Sequence, residues 1–209
     1  MLKILGRANS SNVQKVLWAA DECGLTYTRQ DIGGAFGGND QPWYRALNPN
    51  GVVPTIDDAG YVLWESNSIV RYLGASYGPP GFWPADPKAR GHAERWMDWQ
   101  LSTIQSGMTT VFWGLIRTPE AQRDHAAIEA ARVATGALWA RLDRYLADAP
   151  YVAGPDFTIG DIPVGVMVYR WLNLPLRRDD LPETPHLRAW YNRLTQRPAY
   201  RQHIMIEMT

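Results

Sequence analysis

Residues 48–66, "NPNGVVPTIDDAGYVLWES", decide the fold. Residues 52–56 and 61–63 read as strands, and Asp57, Asp58, Ala59 and Gly60 between them form a turn cluster, which is a hairpin signal. Pro54 interrupts the first strand, where it has no N–H to give to a ladder. Two readings follow. Pro54 marks an edge strand or a strand start, or a cis Val53–Pro54 bond turns the Val53 peptide groups outward to pair with an extended peptide ligand. Glu65 and Ser66 then close the second strand and open a helix, with Ile69, Val70 and Leu73 on its apolar face. Ser is a favoured helix cap and Glu suits the first turn. The same helix N-terminus offers free amides to a ligand carboxylate, and Glu65 can accept from a ligand ammonium.

Upstream, residues 2–6 read as a strand, and Val13, Val16, Leu17 and Ala20 follow the i, i+3, i+4, i+7 pattern of a helix stopped by Gly24. Residues 27–31 make a second strand, so the start is a βαβ unit with a parallel pair. A glycine-rich loop over 33–42 leads to a short helix near 43–47. Downstream, "GPPG" at 78–81 breaks both helix and strand, and beyond it the chain reads helical. Asp86-Pro87 opens a helix to about residue 117, and Thr118-Pro119 opens one to about 147. A third covers 158–172. Thr184-Pro185 opens a fourth that stops before Pro198. The expected architecture is α/β plus all-α: residues 1–78, a linker over 79–85, and a helical domain over 86–209.

Lys plus Arg and Asp plus Glu both number 21, which excludes electrostatically driven binding to nucleic acid or to an anionic membrane. Cys23 is the only cysteine, so no intrachain disulfide framework exists, and a reducing, cytoplasmic setting is expected. No apolar run is long enough to span a bilayer.

Several stretches, in order and over nearly the whole length, resemble the soluble glutathione S-transferases, in particular bacterial theta- and Nu-like members. These are "SSNVQKV" from Ser10, "NPNGVVPT", "WESNSIVRYL" and "FTIGDIPVG" at 157–165. The resemblance implies a thioredoxin-like N-terminal domain, an all-helical C-terminal domain and a homodimer. It implies glutathione as co-substrate, with no metal. The cysteinyl unit would pair with Val53 before Pro54, and the γ-glutamyl group would lie on Glu65 and Ser66. The family's activating hydroxyl falls on Ser10 and its second sulfur contact on Asn12. No Tyr precedes residue 20, so a Tyr-type site is excluded. Many relatives carry a basic residue where this chain has Val52. The glycyl carboxylate is then left to Arg7, Gln41, Asn50 or a backbone group.

The residues themselves add two points. Ser11 and Gln14 form the S-x-x-Q capping pattern, which makes Ser11 the structural cap and leaves Ser10 to face the ligand. Thr158 and Asp161 form a variant capping box, so Asp161→Ala is expected to cost about 1–2 kcal/mol. The electrophile is expected between the domains, in a broad pocket lined by Met108, Phe112 and Trp113, with Trp171 a further candidate; bundle core is the competing reading of these side chains. Conjugation of glutathione to a hydrophobic electrophile is the leading function. Glutathione-dependent disulfide reduction and non-catalytic ligand binding are the alternatives. A maleylacetoacetate isomerase is weaker, since that group's turn resembles S-S-C.

Overall fold

The structure is a computed structural model describing residues 1–209. The first part runs β1 (Leu2–Leu5), α1 (Ser11–Glu22), β2 (Tyr27–Gln30), α2 (Pro42–Leu47), β3 (Thr55–Asp58), β4 (Tyr61–Trp64) and α3 (Ser66–Tyr77). The sheet order is β2-β1-β3-β4, with β1 and β2 parallel and the β1/β3 and β3/β4 pairs antiparallel. This is a thioredoxin-like sheet with α1 and α3 packed together on it. The Val53–Pro54 bond is cis, and β3 begins after it, at Thr55 rather than at residue 52. Regular pairing starts only where the chain regains N–H donors.

The rest is helical: α4 (Pro87–Trp99), α5 (Gln105–Phe112), α6 (His125–Leu146), α7 (Asp161–Asn173), α8 (Pro185–Leu194) and α9 (Pro198–His203). The long helix expected over 86–117 keeps its path but not its pitch. Residues Gln100–Ile104 and Trp113–Arg117 are π-helical turns, a distortion that re-aims side chains and clusters at functional sites. Asp86 caps α4 by accepting from the Ala89 amide at 2.9 Å. Thr118-Pro119 does not open the next helix. Asp124 does, accepting from the Ala127 amide at 2.9 Å. α9 lies beyond Pro198, where the sequence reading ended.

α1 is the spine between the two parts, packing on α3, α7 and α9. Trp18 of α1 is fully buried and meets Tyr200 edge-on at 4.8 Å between ring centroids. Its ring lies so close to α7 that a Cβ at Gly165 would stand 2.8 Å from it, so this crossing requires glycine. Glu22, at the end of α1, binds the Trp18 indole (2.8 Å) and Arg197 at the start of α9 (2.5 Å).

The box at 158–161 forms in part. Asp161 accepts from the Thr158 amide at 2.9 Å as expected, but Thr158 Oγ1 accepts from Gly160 N (3.2 Å) rather than from the amide of Asp161. Asp161 also accepts from Val152 N (3.1 Å) and the Trp190 indole (2.9 Å). Burial pushes its carboxyl up to about 6, against the pull of these donors.

Candidate active site

Ser10 is the N-cap of α1. Its backbone carbonyl accepts from Gln14 N at 2.8 Å, and its side chain makes no capping bond. The sequence reading had placed the cap on Ser11. The difference lies in Gln14, which does not fold back to close a capping box. Its amide donates to the His203 carbonyl at 3.0 Å, and its oxygen accepts from Arg170 at 3.5 Å. Tertiary partners therefore take the side chain that the local motif needed. Both serine hydroxyls line the cleft between the two parts of the molecule, at a helix end whose first amides lack intrahelical partners.

Asn12 is engaged through its oxygen alone, and its Nδ2 makes no bond within the chain. Its Oδ1 accepts from Ser66 Oγ at 3.3 Å. Ser66 Oγ in turn accepts from Lys15 Nζ (3.4 Å), which donates to Gln100 Oε1 at 2.7 Å. This chain of contacts joins α1, α3 and the first π turn. Lys15 is fully buried, and loss of solvation lowers its ammonium to about 7, opposed by Glu65 and assisted by Arg170. Nothing in the "SSNVQKV" stretch marked Lys15 out, since its partners, Ser66 of α3 and Gln100 of the first π turn, come from distant parts of the chain.

The Val53 N–H and C=O make no hydrogen bond within the chain. They are held in place indirectly. The Val52 carbonyl accepts from Tyr44 Oη and Asn48 Nδ2, each at 2.8 Å, and both side chains also reach Thr55 Oγ1, at 2.9 and 3.1 Å. Tyr44, Asn48 and Thr55 are buried. They are positioning residues that the sequence reading missed. Glu65 caps α3 at φ +69° and ψ 110°, a left-handed conformation that a side chain bears at a cost of about 1–2 kcal/mol. Such strain gathers at ligand-binding positions, and the exposed Glu65 carboxylate makes no bond of its own within the chain. Gln41 and Asn50 lie on the exposed rim beside α2. Arg45 lies there too, with its guanidinium close enough to Gly51 that a Cβ there would be 3.3 Å away.

On the opposite wall stand Met108, Phe112 and Trp113, with Gln105 and Met167. Met108 and Phe112 are buried, while Trp113 is 53% exposed. The cavity beside Ser10 is small, ≈ 70 Å³, not the broad pocket expected. Trp171 is not in it. It lines a separate cavity of ≈ 340 Å³ between α6, α7 and the segment before α8. Cys23, at the far end of α1, has its thiol pushed up to about 12 by burial and by Glu22, and its Sγ faces the Leu73 carbonyl at 3.6 Å.

A thioredoxin-like sheet carrying a cis-Pro loop with unpaired Val53 backbone groups, Glu65 at the N-cap position of α3 and a free hydroxyl at the head of α1 face a cleft closed by the helical part. Residues 9–76 match the model for the glutathione S-transferase N-terminal domain, and residues 126–193 the model for the C-terminal domain. The chain is 41% identical to glutathione S-transferase GstB of Escherichia coli over the full length of both. It is 27% identical to glutathione S-transferase 3 of Zea mays, over 96% of this chain and 92% of the relative. A crystal structure of the theta class glutathione S-transferase from Xanthomonas axonopodis pv. citri, with glutathione bound, superposes with a TM-score of 0.95 at 54% identity, covering 100% of this chain and 99% of the other. The chain belongs to the glutathione S-transferase family.

Proposed function

We propose that this protein is a glutathione transferase that joins the glutathione thiolate to an electrophile, with residues 1–78 binding glutathione, 79–85 linking, and 86–209 supplying the electrophile site. The observation that carries the reading is the free Ser10 hydroxyl at the N-terminus of α1, facing the cleft. A thiol of pKa about 8.5 is only a few per cent thiolate at neutral pH. Lowering that pKa by about two units needs about 2.7 kcal/mol of preferential binding of the anion. A hydroxyl donor and the positive end of α1 both act in that direction. Ser11 lines the same cleft and is the alternative donor.

Val53 and Pro54 supply the backbone clamp for the cysteinyl unit. The ammonium of the γ-glutamyl group goes to Glu65, and its carboxylate goes to Ser66 and the first amides of α3. Gln41 and Asn50 flank the glycyl end, where Arg45 replaces the basic side chain missing at Val52. The Asn12 oxygen is tied to Ser66 while its Nδ2 is free to donate to the sulfur as a second contact, which keeps glutathione-dependent disulfide reduction as the alternative. A homodimer and a cytoplasmic location complete the proposal; no helix is long and apolar enough to cross a membrane.

The test is the ultraviolet thiolate absorbance of glutathione titrated with protein across pH, in wild type and in Ser10→Ala. A band at neutral pH that weakens in Ser10→Ala supports Ser10 as activator. A band that survives moves the role to Ser11 or Asn12. Binding without any band in wild type leaves a non-catalytic module and refutes the transferase reading.

A further inference from the structure

Three arginines far apart in sequence, Arg7, Arg117 and Arg170, line the small cavity beside Ser10. None of them is paired with an Asp or Glu side chain. Some other part-buried guanidiniums meet carboxylates, while Arg123, Arg178 and Arg193 donate to backbone carbonyls instead. Arg132 is met by Glu129 and Asp180, Arg71 by Glu94 and Asp98, and Arg197 by Glu22. In the cavity, Arg7 and Arg170 meet neutral partners. Arg7 donates to Asn9 Oδ1 (2.8 Å), and its buried Nε has no partner at all. Arg170 donates to the Asn9 carbonyl at 3.2 Å. Arg117 differs: its Nε and Nη2 both donate, at 3.3 and 3.0 Å, to the main-chain oxygen of Thr209, the last residue of the sequence. Phe112 lies against two of the guanidiniums, with Arg170 at 4.3 Å and Arg117 at 5.2 Å from its ring centroid. Burial and mutual repulsion lower the Arg170 guanidinium to about 10, and those of Arg7 and Arg117 fall in the same sense. All three remain cationic at neutral pH, so the cavity gathers three guanidiniums, and two of them, Arg7 and Arg170, have no carboxylate beside them.

From this cluster we infer that the second substrate is a small electrophile carrying an anionic group, a carboxylate above all, next to the carbon that the sulfur attacks. The inference rests on the transferase reading and narrows its substrate class. At ≈ 70 Å³ the cavity is far below the several hundred Å³ of a drug-sized pocket. It suits a few apolar atoms against Phe112 and Met108, with the charge directed to the arginines, whose planar fork matches a carboxylate. The arginines also answer a problem specific to such a substrate. A thiolate and a carboxylate approaching one another repel, and cations placed beside both remove that barrier. For an α-halo acid the step balances simply. The sulfur lone pair forms the C–S bond, the C–halogen bond breaks, halide leaves with its electron pair, and the thiol proton has gone to solvent on thiolate formation.

The experiment compares 2-bromopropanoate with 2-bromopropanamide, which share reacting carbon and leaving group and differ in charge. Conjugation is measured as kcat/KM divided by the rate constant of free glutathione thiolate, in wild type, Arg117→Gln and Arg117→Lys. The expected result is a rate enhancement at least tenfold larger for the acid than for the amide. That selectivity falls at least tenfold in Arg117→Gln and partly returns in Arg117→Lys. Calorimetric titration of 2-bromopropanoate into the protein saturated with S-methylglutathione reads anion binding without turnover, and tighter binding of acid than amide is expected. Equal enhancement of acid and amide overturns the inference while leaving the transferase intact. So does an Arg117→Gln variant that loses both substrates equally while the bound thiol pKa rises, because the arginines then serve the thiolate alone. Tight, acid-selective binding with no conjugation of either compound refutes the transferase reading and keeps the anion site.

Discussion

Replacing Asp161 with Ala is expected to destabilise the protein by about 3 kcal/mol, above the range expected from the capping motif alone. The carboxylate is fully buried and satisfies three N–H groups: Thr158 N, Val152 N and Trp190 Nε1. Alanine leaves all three without a partner, at about 1–3 kcal/mol each, or about 6 kcal/mol in the middle of that range. Against this stands the relief of burying the charge. The carboxyl moves from 3.8 to about 6 in the fold, which corresponds to about 3 kcal/mol at neutral pH. Asp161→Asn avoids the buried charge and keeps one acceptor oxygen, but turns an NH₂ towards an amide donor, so its expected cost is smaller, about 1–2 kcal/mol. The assay is urea unfolding at pH 7.5 followed by tryptophan fluorescence and by circular dichroism, with coincident transitions and equal m-values as the condition for reading midpoints as stability. A loss below about 1 kcal/mol in Asp161→Ala, or a larger loss in Asn than in Ala, would refute the reasoning from orphaned donors. Asp161 does not line the cleft, so glutathione affinity in the folded variant should stay within about twofold, or about 0.4 kcal/mol.

Glu65→Gly should relieve the left-handed backbone at φ +69° while loosening the unfolded chain, leaving stability within about 1 kcal/mol; glutathione affinity, read by calorimetry, should still fall at least about tenfold, since a charged hydrogen bond contributes about 1.5–3 kcal/mol. A Gly variant that binds normally would remove Glu65 from the γ-glutamyl subsite. Lys15 gives a pH signature. Its ordinary value is 10.5 and its folded value about 7, so between these the unfolded chain holds the extra proton and this group makes stability rise with pH. Lys15→Met should therefore lose ground to wild type as pH climbs from about 7 to 10 in urea titrations, and a pH-independent difference would contradict the burial of a strained ammonium.

What the sequence determined by itself is what short-range chemistry governs. Alternating and helical periodicity placed β1, α1, the β3–β4 hairpin and α3, because each depends on which residues face inward within one element. Asp86-Pro87 and Thr184-Pro185 marked helix starts, because Pro is tolerated in the first turn and excluded further in. Pro54 announced an interrupted strand, and the S-S-N turn offered Ser10 as the hydroxyl left free, although the cap position was read one residue too late. The tertiary structure decided the rest. The cap went to Ser10, because His203 and Arg170 draw Gln14 away. Lys15 is buried where α1 meets Ser66 of α3 and Gln100 of the first π turn. Tyr44 and Asn48 came to hold the loop at Val53 by converging on one carbonyl. Trp171, adjacent in sequence to the cleft's Arg170, points into a different cavity. The positive cavity is the clearest case. Arg7, Arg117 and Arg170 are unremarkable singly, and the total charge of zero hides them. Only packing the head of α1 against the second π turn and α7 brings three like charges to one site.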